Sequence, residues 1–373
     1  MNFFVTCAKG TEGALRRELV ALRIRAPRGD TGGVSFAGSF EDGMKVCLWS
    51  RVAMRVLLET AAFPAPHAEA LYAGARAVRW TDHLDTKTTF AVSASVQGSE
   101  TLRHSGFAAL KVKDAVADAL RDQLGSRPDV STEDPDVSLF LHLRGAEAHL
   151  FRDLAGEPLH RRGYRVAMTE APIKETLAAA ALALGRVDPA LPFVDPMTGS
   201  GSLAIEHALA VRRMAPGLNR RFGFQRWPHF TRGTDRIWAS LEKTARTNAL
   251  PAAPATIVAR DLSPDAVVAA RRNAQEAGVA SDITFEVGDI ADLRQTGPAG
   301  TVCFNPPYGE RLAPASLDDL YKRTAQRLRR MTGWAAVVLS GNPIFARAMG
   351  GKPELSHKLW NGPLEVRLLR YGL

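Results

Sequence analysis

The chain has 373 residues, of which 46% are hydrophobic and 23% charged, values ordinary for globular proteins and enough chain for two or three domains. The net charge of +9 favours a polyanionic partner. We identify no signal peptide and no apolar stretch long enough to span a bilayer. Composition therefore excludes a membrane-embedded protein, and we expect a cytoplasmic one.

The three cysteines, Cys7, Cys47 and Cys303, lie far apart and lack the spacing of metal ligands. We expect them to be buried, reduced thiols, as in a reducing compartment. No other cluster has metal-ligand spacing, so we predict no metal site.

The first two blocks of the chain mix strands and helices. Residues 1–55 have strand patterns at 3–8, 33–37 and from 55 onward, and helical patterns at 12–22 and 40–49. Residues 56–160 have helical patterns at 68–76 and 107–124, and strand patterns at 88–96, 137–144 and 147–153. The first mixture is typical of a ferredoxin-like α+β unit. From about residue 161 strands and helices alternate, which predicts a mostly parallel sheet covered on both faces.

The first strand of this third block ends at Asp195 and leads through a loop of small residues into a helical pattern. Gly199 and Gly201 allow a tight turn and the close approach of a nucleotide-like ligand. With Ala204 they also satisfy a loose dinucleotide fingerprint, so a hydride-transfer enzyme is one alternative.

Two observations argue against a dinucleotide. The acid expected about 20 residues later is missing, because the best candidate, Asp261, follows a long insertion. Asp195, which precedes the glycines, suits a ligand with an ammonium group better than one with a pyrophosphate. S-adenosylmethionine carries an amino group, a sulfonium, a ribose and an adenine, and it has no phosphate.

Two later strands also end in acids. The strand at 255–260 leads to Asp261, whose carboxylate can accept both hydroxyls of a ribose. Ser263 is predicted to cap the following helix. The strand at 283–287 ends before Asp289, which could accept the adenine amino group. Three strand ends therefore supply acids for one nucleoside-like ligand.

The strand at 301–304 runs into Asn305, Pro306, Pro307 and Tyr308. The Asn305 side-chain oxygen can accept a hydrogen bond from an exocyclic amine, the prolines fix the backbone, and Tyr308 can stack on a base. The alternative is a simple strand-ending turn. Together with the acids upstream, the pattern predicts methylation of an amine on a nucleobase.

Several segments resemble the class I, S-adenosylmethionine-dependent RNA methyltransferases with a THUMP domain, above all those that make N2-methylguanosine in 23S ribosomal RNA. The resemblance covers residues 2–19, 154–165, 171–180, 195–206, 305–308 and 359–365. It implies a Rossmann-like methyltransferase domain (161–373) with a mostly parallel seven-stranded sheet, preceded by ferredoxin-like (1–55) and THUMP (56–160) domains. It also implies a cofactor site formed by Asp195, Pro196, Thr198, Gly199, Gly201, Glu206, Asp261, Leu262, Asp289, Ile290 and Asn305, with residues 305–308 holding the base. Thr198 and Ser202 depart from the usual residues of this family but remain small.

Structured RNA is the expected partner. Candidate RNA contacts are Lys111, Lys113, Arg161, Arg162, Arg226 and Trp227. The last two lie in an insertion, 212–238, that interleaves arginines with aromatic residues, a pattern suited to phosphates and unpaired bases. The alternative is that these aromatic side chains anchor the insertion to the core.

The resemblance thus implies methyl transfer to N2 of a guanosine, in 23S ribosomal RNA or else in transfer RNA. An adenine-N6 nucleic-acid methyltransferase and a non-catalytic RNA-binding assembly factor remain alternatives.

Overall fold

The computed structural model describes residues 1–168, 172–307 and 314–373. Within these ranges the strands are β1 (Asn2–Thr6), β2 (Arg28–Asp30), β3 (Gly33–Ala37), β4 (Arg55–Pro64), β5 (Phe90–Gln97), β6 (Val137–Arg144), β7 (Glu147–Asp153), β8 (Phe193–Asp195), β9 (Ile257–Asp261), β10 (Ile283–Val287), β11 (Gly300–Phe304), β12 (Trp334–Ser340), β13 (Leu355–Asn361) and β14 (Leu364–Gly372). The helices are α1 (Glu12–Ala21), α2 (Phe40–Trp49), α3 (Ala68–Arg76), α4 (Ser105–Leu124), α5 (Glu175–Leu184), α6 (Ser202–Val211), α7 (Arg232–Thr247), α8 (Pro264–Glu276), α9 (Pro314–Leu328) and α10 (Pro343–Met349).

The N-terminal half forms one seven-stranded sheet in the order β2-β3-β1-β4-β7-β6-β5. All neighbours are antiparallel except β5 and β6, which run parallel. Strand β4 begins at Arg55, where we predicted a domain boundary, and it pairs with β1 on one side and with β7 on the other. The first two units therefore share a continuous sheet, although their sequence patterns divide at that strand.

The C-terminal half forms the predicted mostly parallel sheet, in the order β10-β9-β8-β11-β12-β14-β13. The first five of these strands are parallel, and β14 joins antiparallel to β12 and β13. Strands β8, β11 and β12 are buried along their whole length, as expected for strands covered on both faces. Their carboxyl ends meet at one edge of the sheet, where ligands of such sheets bind.

The insertion after α6 packs against the N-terminal half through aromatic side chains. Phe224, Trp227 and Trp238 are each at most 5% exposed. The Phe40 ring of α2 lies 6.0 Å from Phe224 and 5.9 Å from Trp227. Trp227 is therefore a core anchor, and its predicted stacking on RNA is corrected: the alternative interpretation of the insertion holds for this residue.

Arg226 has a similar joining role. Its guanidinium donates hydrogen bonds to Asp134 at 2.8 Å and to the Pro135 carbonyl at 2.7 Å, in the loop before β6. Both contacts tie the insertion to the second unit, but Arg226 remains exposed, so its contact with RNA phosphate stays a prediction.

None of the described helices is long and apolar enough to cross a membrane. The described residues also contain no group of three His, Cys, Asp or Glu side chains placed to hold a metal ion. Cys7, Cys47 and Cys303 are buried, as predicted.

Candidate active site

A cavity of about 700 Å³ opens at the carboxyl ends of β8, β9, β10 and β11. The predicted cofactor residues that line it are Asp195, Pro196, Thr198, Gly199, Asp261, Leu262, Asp289, Ile290 and Asn305, and Pro307 joins them from the predicted base site. The four strand ends predicted from sequence thus meet around one space. Sequence reasoning missed other lining residues, including Met168, Pro172, Ile173, Leu320 and Arg323.

The loop after β8 is shaped by glycines and fastened to β9. Gly201 precedes α6 with φ of 90°, a conformation that favours glycine. The Gly199 N–H donates to Asp261 at 2.9 Å, and the Thr198 N–H donates to the Arg260 carbonyl at 2.9 Å. These bonds fasten the loop to the end of β9 beside the cavity, although Gly201 itself is not among the described residues that line it.

Asp195 is the most deeply buried acid of the cavity, at 1% exposure. Burial, reinforced by the nearby charge of Asp261, raises its pKa to about 8. Among the described residues, no Lys, Arg or His side chain forms an ion pair with it. A carboxyl group in this position is ready to ionise beside a cationic group of a ligand.

This burial predicts a pH dependence of stability. The folded-state pKa of Asp195, about 8, lies above the ordinary value of 3.8, so the unfolded chain loses this proton first and ionisation favours unfolding. Relative to Asp195→Asn, the ligand-free protein should lose stability as the pH rises from about 4 to about 8, by up to about 1.4 kcal/mol per pH unit. Urea unfolding of both proteins across this range measures the difference between their free energies of unfolding. A difference that does not change with pH would contradict the raised pKa of Asp195.

The other two acids are held by backbone N–H groups. Asp261 accepts from Gly199 and, at 3.0 Å, from Ser263, whose own side chain caps α8 as predicted. Asp289 accepts from Ala291 at 2.8 Å and from Arg323 of α9 at 3.0 Å. The Ala291 N–H, with Arg323 beside it, lowers the pKa of Asp289. Both carboxylates keep lone pairs for a ligand.

Asn305 follows β11, the neighbour of β8, and lines the same cavity. Its side-chain oxygen, Oδ1, is buried and has no hydrogen-bond partner among the described residues. An unpaired buried acceptor is costly, so this atom is suited to a donor brought by a ligand. Pro306 is buried and is not among the described residues lining the cavity, whereas Pro307 lines it. Tyr308 lies outside the described residues.

Sequence comparison assigns all three parts of the chain. Residues 162–369, more than half of the chain, match the family described as "RMKL-like, methyltransferase domain". The chain belongs to this methyltransferase family. Residues 65–153 match the THUMP domain, and residues 2–57 match the RlmL ferredoxin-like domain. These matches confirm the predicted family and fold class.

Individual relatives agree with this family. "Ribosomal RNA large subunit methyltransferase K/L" of Syntrophotalea carbinolica is 41% identical over 100% of this chain and 54% of its own length. The chain thus spans about half the length of the curated relatives it matches. A solved putative methyltransferase in complex with SAH (S-adenosylhomocysteine) is 30% identical, with a TM-score of 0.91 over 100% of this chain and 98% of the other.

A predicted N6-adenine-specific DNA methylase from Listeria monocytogenes has the same fold, with 30% identity and a TM-score of 0.89 over 100% of this chain and 96% of the other.

The methyl donor of the family is S-adenosylmethionine, and the residues of this cavity fit it. Asp195 would hold the amino group, Asp261 the ribose hydroxyls, and Asp289 the adenine amino group. Leu262 and Ile290 add apolar surface beside the last two acids. When bound, the donor supplies an electrophilic methyl group on its sulfonium.

Glu206 and Arg162 have other roles than those predicted. Glu206 is fully buried and does not line the cavity as described; its carboxylate accepts from Tyr164 at 3.1 Å and pairs with Arg162 at 3.5 Å. Arg162, 5% exposed, also donates to the carbonyls of Leu159 and Arg51. We correct both predictions: Glu206 is not a cofactor contact and Arg162 is not an RNA contact, because each is used inside the domain junction.

Replacing Glu206 by glutamine should therefore destabilise this methyltransferase by about 3 kcal/mol, since Arg162 would remain buried without its counter-charge. Affinity for S-adenosylmethionine should not change. Urea unfolding and calorimetric titration measure the two quantities, with the exposed Glu276→Gln as the matched control. If Glu206→Gln instead had normal stability and weakened binding of S-adenosylmethionine, Glu206 would be a cofactor contact as predicted from sequence.

Proposed function

We propose that this chain transfers a methyl group from S-adenosylmethionine to the exocyclic N2 of a guanosine in large-subunit ribosomal RNA. The observation that carries the proposal is the cavity that Asp195, Asp261 and Asp289 line together with Asn305, whose Oδ1 atom has no partner among the described residues. Carboxylates suit the donor, and a free amide oxygen suits an NH₂ group on the acceptor.

The chemistry needs positioning more than proton transfer. An exocyclic amine is a poor nucleophile because its lone pair is delocalised into the base. Asn305 Oδ1 and the backbone carbonyl that follows this residue would accept the two N–H bonds and favour the pyramidal nitrogen of the transition state. Transfer would break the sulfur–methyl bond of the donor, which would leave as a neutral thioether. The new N–C bond would make the nitrogen strongly acidic, and its extra proton would pass to solvent. No dedicated base is required, and Tyr308 keeps its predicted stacking role.

RNA as the substrate is supported by the domain content and the charge. A THUMP domain and a ferredoxin-like domain precede the catalytic sheet, and the net charge is +9. The curated relative described above is named as a large-subunit ribosomal RNA methyltransferase. Lys111, Lys113, Arg161 and Arg226 remain proposed phosphate contacts. A guanine N2 in a base pair is reached only if the nucleotide is extruded or already unpaired.

An adenine-N6 methyltransferase is the second candidate, because adenine offers the same kind of amine to Asn305. This candidate is favoured by the similar structure from Listeria monocytogenes, which is described as a predicted N6-adenine-specific DNA methylase. Transfer RNA is the alternative substrate for the guanine reaction.

Nucleoside mass spectrometry of cells lacking this protein separates these possibilities. Large-subunit ribosomal RNA, small-subunit ribosomal RNA, transfer RNA and DNA are digested separately and compared with those of the parent strain. We expect N2-methylguanosine to fall in large-subunit ribosomal RNA and to return with the plasmid-borne gene. A loss confined to N6-methyladenine, or to transfer RNA, would replace the proposed function.

A further inference from the structure

A second cavity, of about 470 Å³, adjoins the active site at the junction between the N-terminal half and the methyltransferase domain. Its lining residues are His160, Arg161, Arg162, Gly163, Arg165, Pro172, Ile173, Lys174 and Glu175. Pro172 and Ile173 also line the active-site cavity, so the two spaces share a wall. The proposed function assigns no ligand to this cavity, although Arg161 and Arg162, both predicted from sequence as RNA contacts, line it.

Positive charge dominates its wall: four permanently cationic side chains line it together with one carboxylate. Arg165 is committed to that carboxylate, Glu175, at 2.7 Å, and it also bonds Ser200 and Ser202 of the active-site loop. Arg162 is committed to Glu206 and to backbone carbonyls. The charges of these two arginines are therefore balanced within the fold.

The positive charges of Arg161 and Lys174 are not neutralised by buried ion pairs within the fold. Arg161 pairs with Glu157 at 3.1 Å, but both side chains are about two-thirds exposed, and such pairs contribute little. Lys174 is exposed and forms no ion pair with any residue in the described ranges. It precedes α5 without capping it, so the positive end of that helix dipole adds to the same space.

His160 indicates how positive the cavity is. Burial first, and then the charges of Lys174 and the three arginines, lower its pKa to about 4, so the ring is neutral at pH 7. Its Nδ1 atom is buried and has no hydrogen-bond partner in the part of the chain that the structure describes. A ligand with several acceptor oxygens and negative charge would satisfy these groups together.

We propose that this cavity binds a backbone phosphate of the RNA substrate, beside the nucleotide whose base enters the active site. This inference rests on the proposed function. Lys174 and Arg161 would donate to the phosphate oxygens. Because Arg165 bonds the active-site loop and lines this cavity, the phosphate and the methyl donor would be held by one connected structure.

The test is the charge reversal Lys174→Glu, with Lys352→Glu as the matched control. Lys352 is exposed and lies two residues before Glu354, which lines a cavity at the amino ends of β11 and β12, the opposite edge of the sheet. Unmodified large-subunit ribosomal RNA made by transcription in vitro is the RNA probe. RNA affinity is measured by filter binding over a series of salt concentrations, and affinity for S-adenosylmethionine by calorimetry.

We expect Lys174→Glu to weaken RNA binding about tenfold. The negative slope of log affinity against log salt should become shallower by about 0.7 to 0.9, because one phosphate contact is lost. The affinity of Lys174→Glu for S-adenosylmethionine should match that of the wild type. The control Lys352→Glu should match the wild type in its affinity for RNA as well. Arg161→Glu should act in the same direction, which protects the test if the Lys174 variant folds poorly.

RNA affinity equal to that of Lys352→Glu would overturn the phosphate site while leaving the proposed function intact. Weaker binding of S-adenosylmethionine with unchanged RNA binding would also overturn it, because the cavity would then serve the donor. A wild-type protein that neither binds nor methylates the RNA would reject the proposed function itself.

Discussion

Asn305→Ala should lower kcat for methyl transfer by about 10²- to 10³-fold, the effect of removing one preorganised hydrogen-bonding group from a developing charge. The side-chain oxygen of Asn305 is buried at the cavity wall and unpaired within the described residues. The proposed contact with the amine would strengthen as the nitrogen becomes charged, so the loss should fall on kcat. RNA affinity should change little, because that affinity comes mainly from phosphates.

Single-turnover methylation with labelled S-adenosylmethionine measures this effect, and filter binding measures RNA affinity. The control is Asn248→Ala, which removes the same amide from the exposed end of α7, outside the cavity. A turnover rate like that of the control would show that Asn305 does not contact the reacting amine.

Asp195→Asn should weaken the binding of S-adenosylmethionine by at least about 30-fold, as expected when one partner of a buried charge pair is removed. In the ligand-free protein, burial keeps the carboxyl protonated to a pKa of about 8. An ammonium group bound beside it would favour the ionised form. Binding at pH 6 to 7 should therefore release close to one proton from the wild-type protein and none from the variant.

Calorimetry in two buffers of different ionisation enthalpy gives both the affinity and the proton count. Asp188→Asn, on an exposed residue at the opposite edge of the sheet, is the matched control. Equal affinities of the Asp195 variant and the control for S-adenosylmethionine would show that Asp195 does not bind the amino group of the donor.

The active-site strands could be predicted because their signals are local. Asp195, Asp261 and Asp289 each follow or end a short apolar strand, and parallel strands place such ends at one edge. The strand at 283–287 and the one ending at Phe304 have the predicted ends. Arg323 escaped prediction since it comes from α9, far along the chain, and no local pattern marks a residue that reaches back to Asp289.

The roles of buried charged residues could not be predicted from sequence. Glu206 lies on the helix that follows the glycine loop, and Arg162 lies in a run of basic residues, so both occur where functional residues are expected. Whether such a side chain points into a cavity or into a domain junction depends on tertiary contacts between segments. Here the two residues form a buried ion pair at 3.5 Å inside the fold.

The insertion shows the same ambiguity on a larger scale. Alternating arginines and aromatic residues suit an RNA surface and a packed junction equally well. Trp227 packs under Phe40 and Arg152, and Arg226 bonds the loop at Asp134. The partners come from the first two units, so only the folded arrangement distinguishes anchoring from RNA contact.

A crystal structure of this protein with bound S-adenosylmethionine tests the central claim most directly. We predict the donor in the cavity of about 700 Å³, with its amino group within hydrogen-bonding distance of Asp195, its ribose at Asp261 and its methyl group facing Asn305. Electron density for the donor outside this cavity, or a methyl group directed away from Asn305, would contradict the account.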